Sequence, residues 1–438
     1  MLYRSVIDQM HDWKTTRTKQ ALMVMGARQV GKTTAIREFA SREYESLAEI
    51  NFYENAAAVQ TLSAARDAND LMLRISALTG TELLPGKTLL FLDEVQECKD
   101  MLTWAKFLSE KDGLHVVMSG SLLGLDAYAG ARSFPVGYLR KLTMYPMNFE
   151  EFCLSRGVQH SVFDAMEQAV LARQEVPDYI HELLMRHFRE YLLVGGMPDA
   201  VQAFADSAQI VPVRNIQRDI FDLYSDDIVK YVEDKTEARQ IKMVYDAIPA
   251  QLNAPTKRFK YTRLGRDLRF ASLETAFDWL VHAGIALEVT RVGETSFPLG
   301  LSEDRSSFKF FMNDIGILTS RLMGNVELEV INGRTNINYG SLFESVVAQE
   351  LIARGLVPHY YSSKKRGEVD FIVEDQASGA VRLIEVKSGK DYQRHSALSG
   401  LIDAGEARDA VVLYDGNVEE RKERVYIPVY AAHLAMRV

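Results

Sequence analysis

The sequence predicts an α/β fold class, with a parallel sheet in the first part, helices in the middle and a second α/β part at the end. Three observations predict this order. A glycine-rich turn at residues 26–33 lies between a short apolar run and a helical pattern. Largely apolar runs at 88–92 and 115–119 are typical of strands buried on both faces of a parallel sheet. After residue 340, a helical pattern is followed by two strand patterns.

Composition places the chain among ordinary globular proteins. Of its 438 residues, 47% are apolar and 25% are charged, and this length corresponds to about three domains. The net charge of −9 argues against a protein that coats nucleic acid over its whole surface, but it is compatible with one local basic face.

The features that report a cellular compartment indicate a cytoplasmic protein without a membrane partner. The chain has two cysteines, Cys98 and Cys153, and they lack the spacing of metal ligands. So few cysteines are typical of a protein in a reducing compartment. The segment from Met1 to Lys14 lacks the basic-then-apolar layout of a signal peptide. No apolar run approaches the ~20 residues that a membrane span needs.

The glycine-rich turn fits the phosphate-binding pattern G-x-x-x-x-G-K-[ST] without a mismatch. Its glycines let backbone N–H groups point at a phosphate, and the helix N-terminus adds a positive dipole end. We expect Lys32 to reach the β- and γ-phosphates, as a catalytic residue, and the Thr33 hydroxyl to hold Mg²⁺. The alternative, a turn whose lysine binds nothing, is disfavoured by the flanking strand and helix. The predicted nucleotide-binding residues here are Gly26, Ala27, Arg28, Gln29, Val30, Gly31, Lys32, Thr33 and Thr34.

Two carboxylates end the next buried strand pattern, at Asp93 and Glu94. Ligands of parallel sheets lie at the carboxyl ends of the strands, where these acids fall. We expect Asp93 to contact Mg²⁺ and Glu94 to act as the catalytic residue that polarises the attacking water. An apolar run that ends in two acids is a weak signal alone and a strong one downstream of a phosphate loop.

Five segments resemble a large prokaryotic family of AAA+ ATP-binding proteins, at 26–34, 92–96, 119–123, 145–152 and 191–198. The resemblance covers essentially the whole chain. It implies a P-loop NTPase sheet in residues 1–155, a helical lid in 156–235, and ATP with Mg²⁺ as cofactors. It also implies that a polar residue after the 115–119 strand touches the γ-phosphate or the water; Ser119 is the candidate and Ser121 the alternate.

In such families an arginine from a neighbouring subunit often completes the site. Many members carry a Gly-Arg pair where this chain has Gly137-Tyr138. Arg132 and Arg140 lie nearby, and Arg132 is the predicted nucleotide contact. Each has the alternative of being a surface arginine, so a homo-oligomer is possible but not required.

Residues 236–335 have the order of a winged helix: a helix, a basic turn, a second helix capped by Ser272, and a β-ribbon. The basic segment 257–269 carries lysines and arginines with aromatic residues between them. We expect this segment to contact DNA phosphates without reading the base sequence. The alternative is a winged helix that serves as a spacer between proteins.

Residues 336–438 place Glu344 in a helix pattern, Asp370 in one strand pattern, and Glu385 with Lys387 on one face of the next. Pairing of the strands would bring these side chains together. Glu344, Asp370 and Glu385 are then candidate metal ligands, and Glu385 and Lys387 candidate catalytic residues for phosphodiester cleavage. The pattern resembles the PD-(D/E)XK, restriction-endonuclease-like fold. The alternative is a retained fold with idle residues.

Two functional hypotheses follow. The first is a Mg²⁺-dependent ATPase and hydrolase that acts on DNA, with a C-terminal nuclease-like domain controlled by the nucleotide. The second is a slow nucleotide switch whose C-terminal domain binds DNA or a protein partner without cutting. A nuclease needs its carboxylates around one metal ion, whereas a binder does not.

Overall fold

The computed structural model describes residues 2–16, 19–111, 113–121, 137–254, 256–322, 339–389, 392–407, 410–421 and 424–438. The chain divides into two compact units. The first unit comprises residues 3–145 with 282–284, and the second comprises residues 1–2, 146–281 and 285–438. The first unit thus ends before the boundary predicted at residue 155.

The first unit is built on a five-stranded sheet with the order β2-β3-β4-β1-β5, in which every pairing is parallel. This confirms the predicted parallel sheet. Its strands are β1 (Ala21–Gly26), β2 (Ser46–Asn51), β3 (Thr88–Asp93), β4 (His115–Ser121) and β5 (Leu139–Thr143). Its helices are α1 (Val6–Thr15), α2 (Lys32–Glu43), α3 (Ala56–Ser63), α4 (Ala68–Thr79) and α5 (Asp100–Ser109).

The two strands on either side of the central strand β4 are buried along their whole length. All six residues of β1 and all six of β3 are buried, because helices cover both faces of a parallel sheet. Side chains of β1, β3 and β4 form one hydrophobic core with α3, α4 and α5. The carboxyl ends of β1, β3 and β4 therefore lie on a rigid edge, which is where the predicted site residues follow.

The second unit begins with helices and continues into a mixed sheet. Its helices are α6 (Phe149–Ser155), α7 (His160–Leu171), α8 (Asp178–Val194), α9 (Pro198–Ser207), α10 (Ile210–Tyr231), α11 (Lys235–Leu252), α12 (Glu274–His282), α13 (Ile315–Leu322), α14 (Tyr339–Ala353) and α15 (Ser396–Asp403). Its strands are β6 (Ala286–Val292), β7 (Glu303–Met312), β8 (His359–Ser363), β9 (Gly367–Asp375), β10 (Ala380–Val386), β11 (Ala410–Tyr414), β12 (Glu419–Arg421) and β13 (Arg424–Pro428).

The ribbon predicted as a wing belongs to the C-terminal sheet. That sheet has eight strands in the order β12-β13-β11-β10-β9-β8-β6-β7. Strands β6 and β7 pair with each other, and β6 also pairs in parallel with β8. The boundary predicted at residue 336 therefore divides the strands of one sheet. Local pattern identified the ribbon but not its partner, because the pairing with β8 joins residues far apart in the sequence.

Phe259 of the basic segment packs inward. Phe259 is 5% exposed and lies against Phe277, Phe308 and Phe310, with ring centroids 5.2 to 6.0 Å apart. Such ring contacts stabilise a core beyond the burial of their area. Phe259 therefore holds α12 on the sheet and is not free to stack on nucleic acid bases.

Among the described residues, we find no helix that combines the length and the apolar character of a membrane span.

Candidate functional site

The turn between β1 and α2 has the backbone conformation of an anion-binding loop. Gln29 has φ 65° and Gly31 has φ 89°, both in the left-handed region that turns successive N–H groups toward one side. Gly31 immediately precedes α2, so the free N–H groups of the helix start face the same place. A phosphate at this loop would meet main-chain donors and the positive end of the helix.

Lys32 is buried at the centre of this loop. Its ammonium Nζ donates to the carbonyl oxygens of Gly26, at 3.1 Å, and Ala27, at 2.9 Å. Burial lowers the pKa of Lys32, and the nearby carboxylates of Glu94 and Asp93 oppose that shift. The loop thus holds a cation in place on its own carbonyl groups, where a phosphate oxygen can replace them as the acceptor.

Asp93 accepts hydrogen bonds from three polar side chains at the edge of the sheet. The Thr33 hydroxyl donates to Asp93 Oδ2 at 2.9 Å, and Asn51 Nδ2 donates to the same oxygen at 3.1 Å. The Ser119 hydroxyl donates to Asp93 Oδ1. Burial raises the pKa of Asp93, and the Ser119 and Thr33 hydrogen bonds oppose the shift. A carboxylate and a hydroxyl in contact are the hard oxygen ligands that Mg²⁺ prefers.

Asn51 did not appear among the residues predicted from sequence. It ends β2, directly opposite Asp93 in the register of the sheet. A polar residue at the carboxyl end of the neighbouring strand was the signal that could have found it.

Glu94 adopts a left-handed backbone conformation with φ 56°, which is uncommon for a residue other than glycine and marks local strain. Gln96 Nε2 donates to Glu94 Oε2. The other end of the same amide, Gln96 Oε1, is buried without a hydrogen-bond partner among the described residues. It lies where a Cβ on Gly120 would come within 2.8 Å, so a glycine at position 120 leaves the room that Gln96 needs.

The remaining residues predicted for this site are Ser121, Arg132 and Arg140. Ser121 is 2% exposed, and its hydroxyl has no partner among the described residues. Arg140 is exposed in β5. Arg132 lies outside the described residues.

Four carboxylates of the second unit form what we call the carboxylate cluster: Glu344, Glu368, Asp370 and Glu385. Glu344 comes from α14, Glu368 and Asp370 from β9, and Glu385 from β10. Pairing of β9 with β10 puts Asp370 Oδ2 2.9 Å from the N–H of Val386, from which it accepts a hydrogen bond. The structure therefore brings together Glu344, Asp370 and Glu385, as the helix–strand–hairpin pattern predicted, with Glu368 added.

Four cationic side chains face this cluster. Lys309 Nζ lies 3.3 Å from Glu344 Oε2, 3.0 Å from Glu368 Oε1 and 3.7 Å from Asp370 Oδ1. Lys257 pairs with the other oxygen of Glu344. Arg258 Nη2 lies 2.9 Å from Glu368 Oε2, and Lys387 Nζ lies 2.6 Å from Glu385 Oε1.

These ion pairs correct one expectation and bear on a second. Lys257 and Arg258, at the start of the basic segment, point at carboxylates of the same unit and not at a phosphate backbone. The cluster carboxylates accept from ammonium and guanidinium groups, and the described part of the chain holds no group of three or more His, Cys, Asp or Glu side chains disposed to bind a metal. The metal roles of Glu344, Asp370 and Glu385 stay predictions.

Lys309 was missed at the sequence level, although a signal was present. It stands in the run Phe308-Lys309-Phe310-Phe311 of β7, and a charged residue inside an apolar strand is costly unless it is paired. The same argument applies to Asp370 and Glu385, which also stand in largely apolar strands. Applied to Lys309, it predicts that these opposite charges meet.

The ionisation of Glu385 predicts a pH dependence of stability. Burial raises the pKa of Glu385 to about 8, Asp370 adds to the shift, and Lys387 opposes it. Because this pKa is higher in the folded than in the unfolded state, protonation of Glu385 stabilises the fold at low pH, and that contribution is lost as pH rises through about 8. Between pH 4.5 and about 8, we expect the free energy of unfolding of wild type, measured in urea, to fall relative to that of Glu385→Gln. Parallel curves for the two proteins would contradict this.

Three family models match successive parts of the chain. An "AAA domain" matches residues 18–153, a "Domain of unknown function (DUF8612)" matches 185–327, and a "Domain of unknown function (DUF4143)" matches 339–432. No curated protein matches the chain significantly.

Solved structures resemble the chain at low identity. The Walker-type ATPase paby2304 of Pyrococcus abyssi is 12% identical over 74% of this chain and 96% of that one, with a TM-score of 0.41. The ORC1 protein of Aeropyrum pernix, solved in complex with DNA, is 13% identical over 73% and 92%, with a TM-score of 0.27. RuvB T158V of Thermotoga maritima is 14% identical over 65% and 89%, with a TM-score of 0.28. The identities and TM-scores are too low for these structures to indicate a family or a function for this chain. Residues 18–153, which contain the phosphate-binding loop, match the model of an AAA domain.

Proposed function

We propose that the first unit binds ATP with Mg²⁺ and hydrolyses it. The observation that carries this proposal is the meeting of Thr33, Asp93 and Ser119 beside the buried ammonium of Lys32. The loop amides and Lys32 hold the phosphates, and Thr33 and Asp93 supply oxygen ligands to the metal. When bound, Mg²⁺ neutralises charge on the phosphate oxygens. Glu94 accepts the proton of the attacking water.

Release of phosphate by wild type and by Lys32→Ala tests this proposal. We expect Lys32→Ala to lose ATP binding by calorimetry and hydrolysis together, because the cation at the loop centre is gone. The matched control is Lys87→Ala, which removes an exposed lysine that pairs with Glu45. Equal phosphate release by wild type and Lys32→Ala would overturn the assignment.

Gln96 offers a second test of the same site. Its amide holds the Glu94 carboxylate, so Gln96→Leu keeps the approximate size but removes the donor. We expect kcat to fall about tenfold, the loss of one hydrogen bond to a charged group, with KM for ATP almost unchanged. A change in KM alone would show that Gln96 acts on binding and not on the orientation of Glu94.

For the second unit we propose a non-cleaving module that contacts DNA phosphates under control of the nucleotide. Support for DNA contact comes from the part of the basic segment beyond the carboxylate cluster, where four cationic residues are exposed: Lys260, Arg263, Arg266 and Arg269. Phosphate contact of this kind weakens steeply with salt. Replacing Arg263 and Arg266 with Ala should therefore reduce both the affinity for DNA and its salt dependence. Unchanged binding would contradict this contact surface.

Cleavage of DNA by a metal ion at Glu344, Asp370 and Glu385, with Lys387, is the competing proposal for the second unit. The pairing of the cluster carboxylates with four cations favours the non-cleaving alternative. Incubating branched and linear DNA with Mn²⁺ decides between them. We expect no cut that depends on Asp370, and a product made by wild type but not by Asp370→Ala would establish the nuclease instead.

A further inference from the structure

We propose that the ammonium group of Lys309 is the resident cation of the carboxylate cluster, so that this site is complete without a metal ion. The proposal concerns the second unit alone. It does not depend on ATP hydrolysis, and its failure would leave the ATPase proposal unaffected.

The position of Lys309 is that of a shared counter-ion. Its side chain is 0% exposed, and its Nζ lies within 3.7 Å of carboxylate oxygens of Glu344, Glu368 and Asp370. These three acids come from α14 and β9, and Lys309 itself comes from β7. One ammonium thus joins a helix and two strands that are not neighbours in the sheet, which is the structural work that a bound ion does in other proteins.

The surroundings of Lys309 keep its charge in this place. Its Nζ lies 5.2 Å from the ring centroid of Tyr360 and 5.9 Å from that of Phe371. Both rings attract the ammonium through cation–π contacts, but an ammonium buried without a carboxylate partner is still too costly. Burial would lower the pKa of Lys309, but Glu344, Asp370 and Glu368 outweigh burial and raise it. The group therefore stays charged, and the carboxylates are what make its burial possible.

The cationic side chains around the cluster disfavour the binding of a divalent ion. Four cations face the four cluster carboxylates: Lys257, Arg258, Lys309 and Lys387. A divalent ion added to this set would bring uncompensated positive charge into a buried space, next to an ammonium. Like charges placed together in a desolvated site repel each other strongly. Entry of a metal would require Lys309 to leave, and this lysine has no exposed atoms through which to reach water.

Lys257 and Arg258 close the cluster from the solvent side. Their side chains are 16% and 37% exposed, whereas Lys309 is fully covered. One oxygen, Glu385 Oε2, is buried without a hydrogen-bond partner among the described residues. This oxygen is the place at which a metal would find a free ligand, so it is also where the proposal is most open to test.

Binding of Mn²⁺ alone to the full chain, without nucleotide, tests the proposal by electron paramagnetic resonance. The comparison is made in an Asp93→Asn background, which removes the candidate metal-binding carboxylate of the first unit. We expect Asp370→Asn to leave Mn²⁺ binding unchanged, because Asp370 faces Lys309 and not a metal. Saturable Mn²⁺ binding that Asp370→Asn abolishes would overturn the proposal.

Lys309→Met gives the opposite arm of the same experiment. Without the ammonium, the carboxylates should bind Mn²⁺ more than about tenfold more tightly than in wild type, since the like-charge penalty is removed. The gain should vanish in Lys309→Met with Asp370→Asn. Equal Mn²⁺ binding by folded Lys309→Met and wild type would also count against the proposal. If Lys309→Met does not fold, the comparison of wild type with Asp370→Asn decides by itself.

Discussion

Replacing Glu94 with glutamine should slow ATP hydrolysis about 10²–10⁴-fold, the usual contribution of a positioned general base, and leave ATP binding almost unchanged. Glutamine has the size of glutamate and can still accept a hydrogen bond from the Gln96 amide. It cannot take a proton from water. The phosphate contacts at Lys32 and the loop amides are untouched, so the loss should fall on kcat.

The matched control for this substitution is Glu97→Gln, an exposed carboxylate in the same turn. Asp93→Asn separates the two acids, because it should weaken the metal-dependent part of ATP binding as well as the rate. Single-turnover phosphate release and equilibrium binding of ATP measure the two effects. A rate for Glu94→Gln equal to that of Glu97→Gln would remove Glu94 from the chemistry.

The phosphate loop was predictable because its determinants are local. Gly31, Lys32 and Thr33 are consecutive, and the strand before them and the helix after them follow from apolar pattern alone. Asp93 was predictable for a related reason. Ligands of a parallel sheet lie at the carboxyl ends of its strands, and Asp93 is the last residue of β3. What the pattern did not predict is the side-chain network around these residues. Asn51 and Gln96 reach Asp93 and Glu94 through a sheet register and a turn that only the folded chain defines.

The carboxylate cluster shows the same division at longer range. Asp370 and Glu385 are joined by a short hairpin, so their meeting followed from strand pairing. Lys309 and Lys257 reach Glu344 from 35 and 87 residues away along the chain. Composition marked the 257–269 segment as basic, and a basic segment can face an external polyanion or an internal one. Choosing between them requires knowing that β6 and β7 join the C-terminal sheet.

Replacing Lys309 with methionine should lower the free energy of unfolding by about 3–5 kcal/mol, the cost of removing one partner from a buried ion pair. Methionine fills much of the lysine volume, so the loss would come from charge and not from a cavity. Glu344, Glu368 and Asp370 would then face one another with one cation fewer, and Glu344 is 2% exposed. Urea denaturation at neutral pH measures the change, with Lys87→Met as the surface control.

Two rescues separate this electrostatic account from simple misfit of the new side chain. Adding Glu344→Gln to Lys309→Met removes one of the unpaired carboxylates, so the double variant should be more stable than Lys309→Met alone, with a coupling of about 0.5–3 kcal/mol between the two sites. Lowering the pH should also help. Loss of the ammonium raises the pKa of the facing carboxyl groups in the folded state, and a group with a raised pKa stabilises the fold as it takes up a proton. A Lys309→Met variant that neither Glu344→Gln nor low pH restores would owe its instability to packing, and Lys309 would not be the counter-ion of the cluster.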